Sequence, residues 1–210
     1  MENFQNFKEE QDKYRQMLPS YNPEYSIFDY RVGFGRRVAA ALIDMILVVI
    51  ISSVIGVLFG FLPEMESFSL ENLMDPIYME ELQRGFLPFS LLITFIYFSM
   101  EIFFQATPGK MILGIMIADE AMKLPTTGQL ITRFILKHLD SLIQVVYVFT
   151  WLNYINSISG FVSFLILGAF LFCLSASKQS IYDRISRTAI YFRQEIQQAT
   201  SSIMNINKTE

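Results

Sequence analysis

LIQVVYVFTWLNYINSISGFVSFLILGAFLFCL, residues 142–174, runs for 33 residues without an Asp, Glu, Lys or Arg. A membrane-spanning helix needs about 20 apolar residues at a rise of about 1.5 Å each. The stretch is therefore too long for one span and has to bend or divide. Asn153, Asn156, Ser157, Ser159 and Gly160 supply a polar break. The pattern predicts one helix from about Arg133 to Leu152, amphipathic in its first two turns, and another from about Ile158 to Leu174.

Outward from this stretch, two further segments are apolar around their whole circumference. Val38–Leu62 carries Asp44 as its one charge, and Phe86–Phe104 carries Glu101. A soluble core helix shows an apolar stripe, whereas these have no polar face. The composition agrees, with 52% hydrophobic and 17% charged residues in a chain of 210 and a mean hydropathy of +0.37. That balance belongs to a bilayer. The predicted fold class is all-α: a polytopic membrane helix bundle of four transmembrane helices, with a short interfacial hairpin between helices 2 and 3. The hairpin or strand is read from Met111–Ala118, whose eight apolar residues cannot span and are followed by Asp119, Glu120, Lys123, Pro125 and Gly128.

Three regions follow: an N-terminal arm over residues 1–30, a transmembrane domain over 31–192, and a flexible tail over 193–210. The arm mixes charges with Phe4, Phe7, Tyr14, Tyr21, Tyr25, Phe28 and Tyr30 and has no apolar run. The first helix thus reads as a retained anchor, not a cleaved signal. The net charge of −4 has no bearing on orientation, because lysine and arginine placement near helix ends sets topology. Between Pro63 and Gly85 there are six acids and a single base, Arg84. The remaining bases fall in segments that four spans put on one face. The positive-inside rule then predicts a multi-pass protein of the cell membrane with both termini in the cytoplasm.

Several chemistries lose support. One cysteine, Cys173, excludes an intramolecular disulfide and a cysteine metal cluster, and the lone His138 reads as an interfacial side chain. No metal or cofactor is expected. The chain has no histidine beside a serine nucleophile, no HExxH and no GxSxG, so it is not expected to be an enzyme. The partners expected are membrane lipids, a second copy of the chain and a cytoplasmic or membrane partner protein, with no nucleic acid.

Gly35, Arg36, Arg37 and Ala40 leading to Asp44, then Glu101, Thr107-Pro108-Gly109-Lys110 with Gly114, Arg133, and Asp183-Arg184 with Thr188 form an ordered set. In order and spacing, over about residues 32–192, this set resembles the RDD family of bacterial membrane proteins. The family's arginine and two aspartates carry onto Arg37 or its neighbour Arg36, Asp44 and Asp183. Tyr182 stands where the family usually has histidine, and the loop before the second helix is long. The resemblance implies a membrane protein with a link to transport.

The polar residues also carry a reading of their own. Asp44 lies about 9 Å inside the first helix, at about 1.5 Å per residue from Val38, where an ionised carboxylate must face the bundle interior. Glu101 is one turn from the end of the second helix, Asp140 two turns into the third, and Asp183 just past the fourth. All four acids reach one leaflet. Arg36, Arg37, Lys110, Arg133, Lys137 and Arg184 can meet them there in a charge-paired network, with Arg133 favoured as the partner of Asp44. The functional reading is a cation or proton site of Asp44, Glu101, Asp140 and Asp183 in a transport or ion-handling protein. The structural reading is a lock tying helix ends together, and the alternative function is a non-transporting adaptor or regulator.

Two local patterns complete the picture. Thr107-Pro108-Gly109 predicts a type II turn, with proline setting φ and glycine supplying positive φ; it lacks the glycine run of a P-loop. Arg37–Asp44 and Arg133–Asp140 share the spacing Arg-x6-Asp, which reads either as a parallel repeat or as coincidence.

Overall fold

A computed structural model of the chain describes residues 28–60, 69, 71 and 74–197. Three of its helices are long and apolar enough to cross a membrane: α1 (Phe34–Leu58), α2 (Pro76–Phe104) and α6 (Asn153–Leu171), the last extended by a 3-10 turn to Leu174. Their surfaces invert the pattern of a soluble protein. Leu58, Phe164 and Phe149 are exposed by 75%, 71% and 82%, while Arg37, Asp44, Glu101, Arg133 and Asp183 are buried. Apolar side chains outside and charges inside describe a bundle whose solvent is lipid.

In α1 the buried residues are Arg37, Ala40, Asp44, Ser52 and Gly56, a stripe of polar and small side chains that lets neighbouring backbone come close. α2 begins ten residues before the apolar run that marked it in the sequence. Asp75 caps it by accepting from Ile77 N at 2.9 Å, and Pro76 occupies its first turn. This capped extension carries Glu80, Glu81 and Arg84 out of the predicted acidic loop. Glu64 and Glu66 lie outside the described residues.

The single helix expected from Arg133 to Leu152 is two helices. α4 (Thr127–Lys137) starts on a Thr126/Gln129 capping box, α5 (Leu139–Thr150) follows, and His138 separates them with φ −112° and ψ 24°. The 12 residues of α5 rise about 18 Å, short of the hydrocarbon thickness of about 30 Å. The break after α5 also falls earlier than the asparagines and serines suggested. Trp151 turns the chain in the left-handed region at φ 53°, and Asn153, Asn156, Ser157 and Ser159 are already in α6. Asn156 and Ser159, with Ser163 further along, tie α6 to α5 instead of breaking it. Gln144 Nε2 donates to Asn156 Oδ1 (3.0 Å), Ser159 Oγ to the Asp140 carbonyl (3.0 Å) and Ser163 Oγ to Asp140 Oδ2 (2.7 Å). Interhelical hydrogen bonds of this kind satisfy polar side chains where no water is at hand.

The expected hairpin between helices 2 and 3 is not a local one. After the short helix α3 (Pro108–Ile112), strand β1 (Ile115–Asp119) pairs antiparallel with β2 (Thr188–Phe192), which follows α7 (Ile181–Ile185). Arg31 adds an isolated bridge to Tyr191. The strand in Met111–Ala118 was legible, but its partner lies some seventy residues away. Both strands are buried on both faces. Met116, Ala118, Ala189 and Tyr191 pack with Ile196 on one side, and Ile115, Ile117 and Ile190 with Val32, Ala40 and Leu130 on the other. Ile196 lies in the predicted flexible tail, whose residues 193–197 are helical; residues 198–210, and residues 1–27 of the arm, lie outside the described residues.

The register places Ala118 opposite Ala189. Directly opposed residues of an antiparallel pair lie within disulfide reach, and a one-residue slip turns a side chain to the other face. In a Cys173→Ala background, Ala118→Cys with Ala189→Cys is expected to give disulfide-linked peptides on mild oxidation, read by mass spectrometry. Ala118→Cys with Ile190→Cys is expected to give none, and the opposite result would refute the register.

Candidate functional site

Asp183 is the third residue of α7, in a capping box where Ser180 Oγ accepts from Asp183 N and Asp183 Oδ2 accepts from Ser180 N, each at 3.2 Å. Its side chain is fully buried. Arg37 Nη1 donates to Oδ2 at 2.6 Å, and Arg133 Nε to Oδ1 at 2.7 Å. Arg37 is further held by the carbonyls of Val32 (3.0 Å) and Lys178 (2.6 Å) and by Cys173 Sγ (3.4 Å). Burial pushes the Asp183 carboxyl up, but Arg133 and then Arg37 outweigh it and hold the group well below the usual carboxylate range.

Glu101, one turn from the end of α2, is the second hub. Arg133 Nη1 meets Oε1, while Lys110 Nζ (2.7 Å) and Lys137 Nζ (3.3 Å) both donate to Oε2. Arg133 thus bridges the two hubs. Burial lowers the Lys110 amine to about 8, against the pull of Asp44 and Asp183, so it stays charged at neutral pH.

Asp44 does not pair with Arg133. Its Oδ1 accepts from Tyr97 OH and Gly109 N, both at 2.7 Å, and its Oδ2 from Thr107 Oγ1 at 2.6 Å. The reason lies in Thr107-Pro108-Gly109, which opens α3 instead of forming a type II turn. A helix start presents unpaired N–H groups, and α3 aims one of them at the carboxylate of α1. Gly109 makes the approach possible: a Cβ there would sit 2.5 Å from the Ala40 carbonyl and 2.7 Å from Asp44 Oδ1. The glycine serves close approach, not positive φ.

Of the other expected residues, Arg36 is exposed, with its guanidinium 4.6 Å from the centre of the Phe192 ring. Arg184 is exposed and bonds Ser177 Oγ at 3.1 Å. Neither joins the network, whereas Arg37 does. Asp140 bonds Ser163 and Ser141, away from the two hubs. The Arg-x6-Asp similarity extends to contacts only in its arginines, which meet on Asp183; the two aspartates have unlike surroundings and the second spacing is interrupted at His138. That histidine is buried between Phe98 and Phe134, with ring centres at 4.7 and 4.8 Å. Tyr97 and Ser180 were missed. Tyr97 sits one helical turn before Glu101 on the same face, and Ser180-x-x-Asp183 has capping-box spacing, so both were readable signals.

Between the hubs lies a cavity of about 120 Å³, walled by Arg37, Asp44, Lys110, Arg133, Lys137 and Tyr182 together with apolar side chains. These features define a polytopic helical membrane protein with a buried ionic cluster at one end of its bundle. The sequence model of the RDD family matches residues 31–187, and the chain belongs to that family. No curated protein and no solved structure matches it.

Asp183→Ala would leave buried Arg37 without an acid and Arg133 on Glu101 alone, a change expected to cost about 3 to 5 kcal/mol in detergent unfolding. Because the folded pKa lies below the unfolded value of about 3.9, the stability Asp183 contributes is present above that pH and is lost as pH falls from there through the lower folded value. Melting temperatures are expected to drop below about pH 4, and Asp183→Asn, already less stable at pH 7, should show a smaller acid loss. Separately, Gly109→Ala is expected to cost about 1 to 3 kcal/mol by overpacking, whereas Gly35→Ala, with open space for its Cβ, should be tolerated; equal effects would exclude the close-approach role.

Proposed function

We propose that this is a small transport or ion-handling protein of the cell membrane, with the ion taken up in the charged cavity. The observation that supports it most is that cavity itself, about 120 Å³ of space among buried charges. A purely structural cluster gains nothing from space at its centre, because packing contacts are lost there. The carboxylate-centred cation or proton site expected from the sequence has less support. Asp44, Glu101 and Asp183 each already accept from two or more protein groups, and among the described residues no three His, Cys, Asp or Glu side chains gather in a metal-sized group.

Orientation follows the same reading. Exposed Arg36, Arg184 and Arg187 crowd the end that holds the cluster, and the positive-inside rule puts that end, with both termini, in the cytoplasm. With α5 short of a full span, a homo-oligomer would supply the walls of a pathway. Purified protein in proteoliposomes should give protein-dependent flux of an ion, reduced in Arg133→Gln and Asp44→Asn. Absence of flux across a panel of sodium, potassium, protons, chloride and phosphate would overturn the proposal.

The exposed arginines also favour a second reading, a non-transporting adaptor that binds a partner at this end. A photocrosslinker placed at Arg184 in cells would then capture a protein; recovery of lipid and self-contacts alone would count against it.

A further inference from the structure

The charges around the cavity do not balance. Its wall carries four cations, Arg37, Lys110, Arg133 and Lys137, against one acid, Asp44. Glu101 and Asp183 sit behind the cations instead of on the wall, their oxygens already occupied. Asp44 in turn spends its carboxylate on the neutral donors Tyr97, Thr107 and Gly109. Three carboxylates thus face four basic groups, so the cluster carries one surplus positive charge whenever Lys137, whose side chain is 21% exposed, is protonated. Lys110 and Lys137 meet the same oxygen of Glu101. Each ammonium has three N–H donors and bonds one carboxylate among the described residues, so both have donors to spare.

We propose that this cavity binds one phosphate-class oxyanion, with Lys110 and Lys137 as its principal ligands and the arginine pair beside them. The assignment rests on reading the cavity as the ion site. A single bound anion cancels the surplus charge, which a cation would increase. The space, about 120 Å³, is well above the roughly 10–15 Å³ that one water needs, which suits a tetrahedral oxyanion better than one halide. Ammonium and guanidinium groups make their strongest hydrogen bonds to such oxygens. Burial, then the charges of Lys110 and Arg133, pull the Lys137 amine toward its neutral form, a tendency that an anion reverses.

The phosphate group can come from free phosphate or from a lipid headgroup. The test uses full-length protein in detergent, titrated calorimetrically with inorganic phosphate, sulfate or short-chain phosphatidate at ionic strength matched with sodium chloride. Saturable binding of one phosphate group per chain is expected, weakened about tenfold or more by Lys137→Gln or Lys110→Gln, as for a lost hydrogen bond to a charged group. Lys137→Arg should retain binding. Without ligand, Lys137→Gln is expected to melt no lower than the parent, because it removes the surplus charge; a purely structural ion pair would make it melt lower. Binding of phosphatidate alone would identify the headgroup as the source, and binding of inorganic phosphate the free ion. A folded protein that binds none of the three above chloride, or binds them undiminished in Lys137→Gln, overturns the assignment. Sodium or proton flux persisting in that case would leave the ion-handling reading standing, whereas loss of both would remove the two together.

Discussion

One carboxylate holds three separated parts of this chain to a common level. Asp183, from the short helix after the last span, is gripped on one oxygen by Arg37 of α1 and on the other by Arg133 of α4. Arg133 then continues to Glu101 of α2. Every long excursion of the chain through the bundle must therefore return to the same end. The geometry leaves little freedom, because the guanidinium fork is rigid and a buried arginine without its acid is costly. The β1–β2 pair closes the same end by backbone hydrogen bonds, joining the segment after α2 to the segment after α7.

The division of labour between Asp44 and Asp183 follows from their surroundings. Asp183 neutralises arginines, whereas Asp44 accepts from a phenol, a hydroxyl and a backbone N–H. Asp44 can be bonded this way only because a glycine lets α3 press its first turn against α1. The consequence is electrostatic: Asp44 fastens α3 to the bundle without drawing a cation to itself, and the cations collect around the cavity instead. Elsewhere polar side chains work without ion pairs, as in the Asp140, Gln144, Asn156 and Ser163 contacts that join α5 to α6.

The sequence by itself determined the solvent of this protein and the residues of its cluster. Uncharged runs such as 142–174 can be soluble in little but lipid, and charges inside or beside them must turn inward together; Arg37, Glu101, Lys110, Arg133 and Asp183 were legible on those grounds. What tertiary structure decided was who meets whom. Asp44 and Arg133 suit each other by residue type, yet the N-terminus of α3 reaches Asp44 first and Asp183 takes the arginine. The asparagines and serines near residue 155 look like a break until a facing helix supplies their hydrogen-bond partners. Strand β1 has no local partner, since its mate comes from beyond the last long helix. Each of these outcomes depends on a neighbour distant in sequence. Periodicity and composition report what a segment must bury, and only the packed chain determines against what.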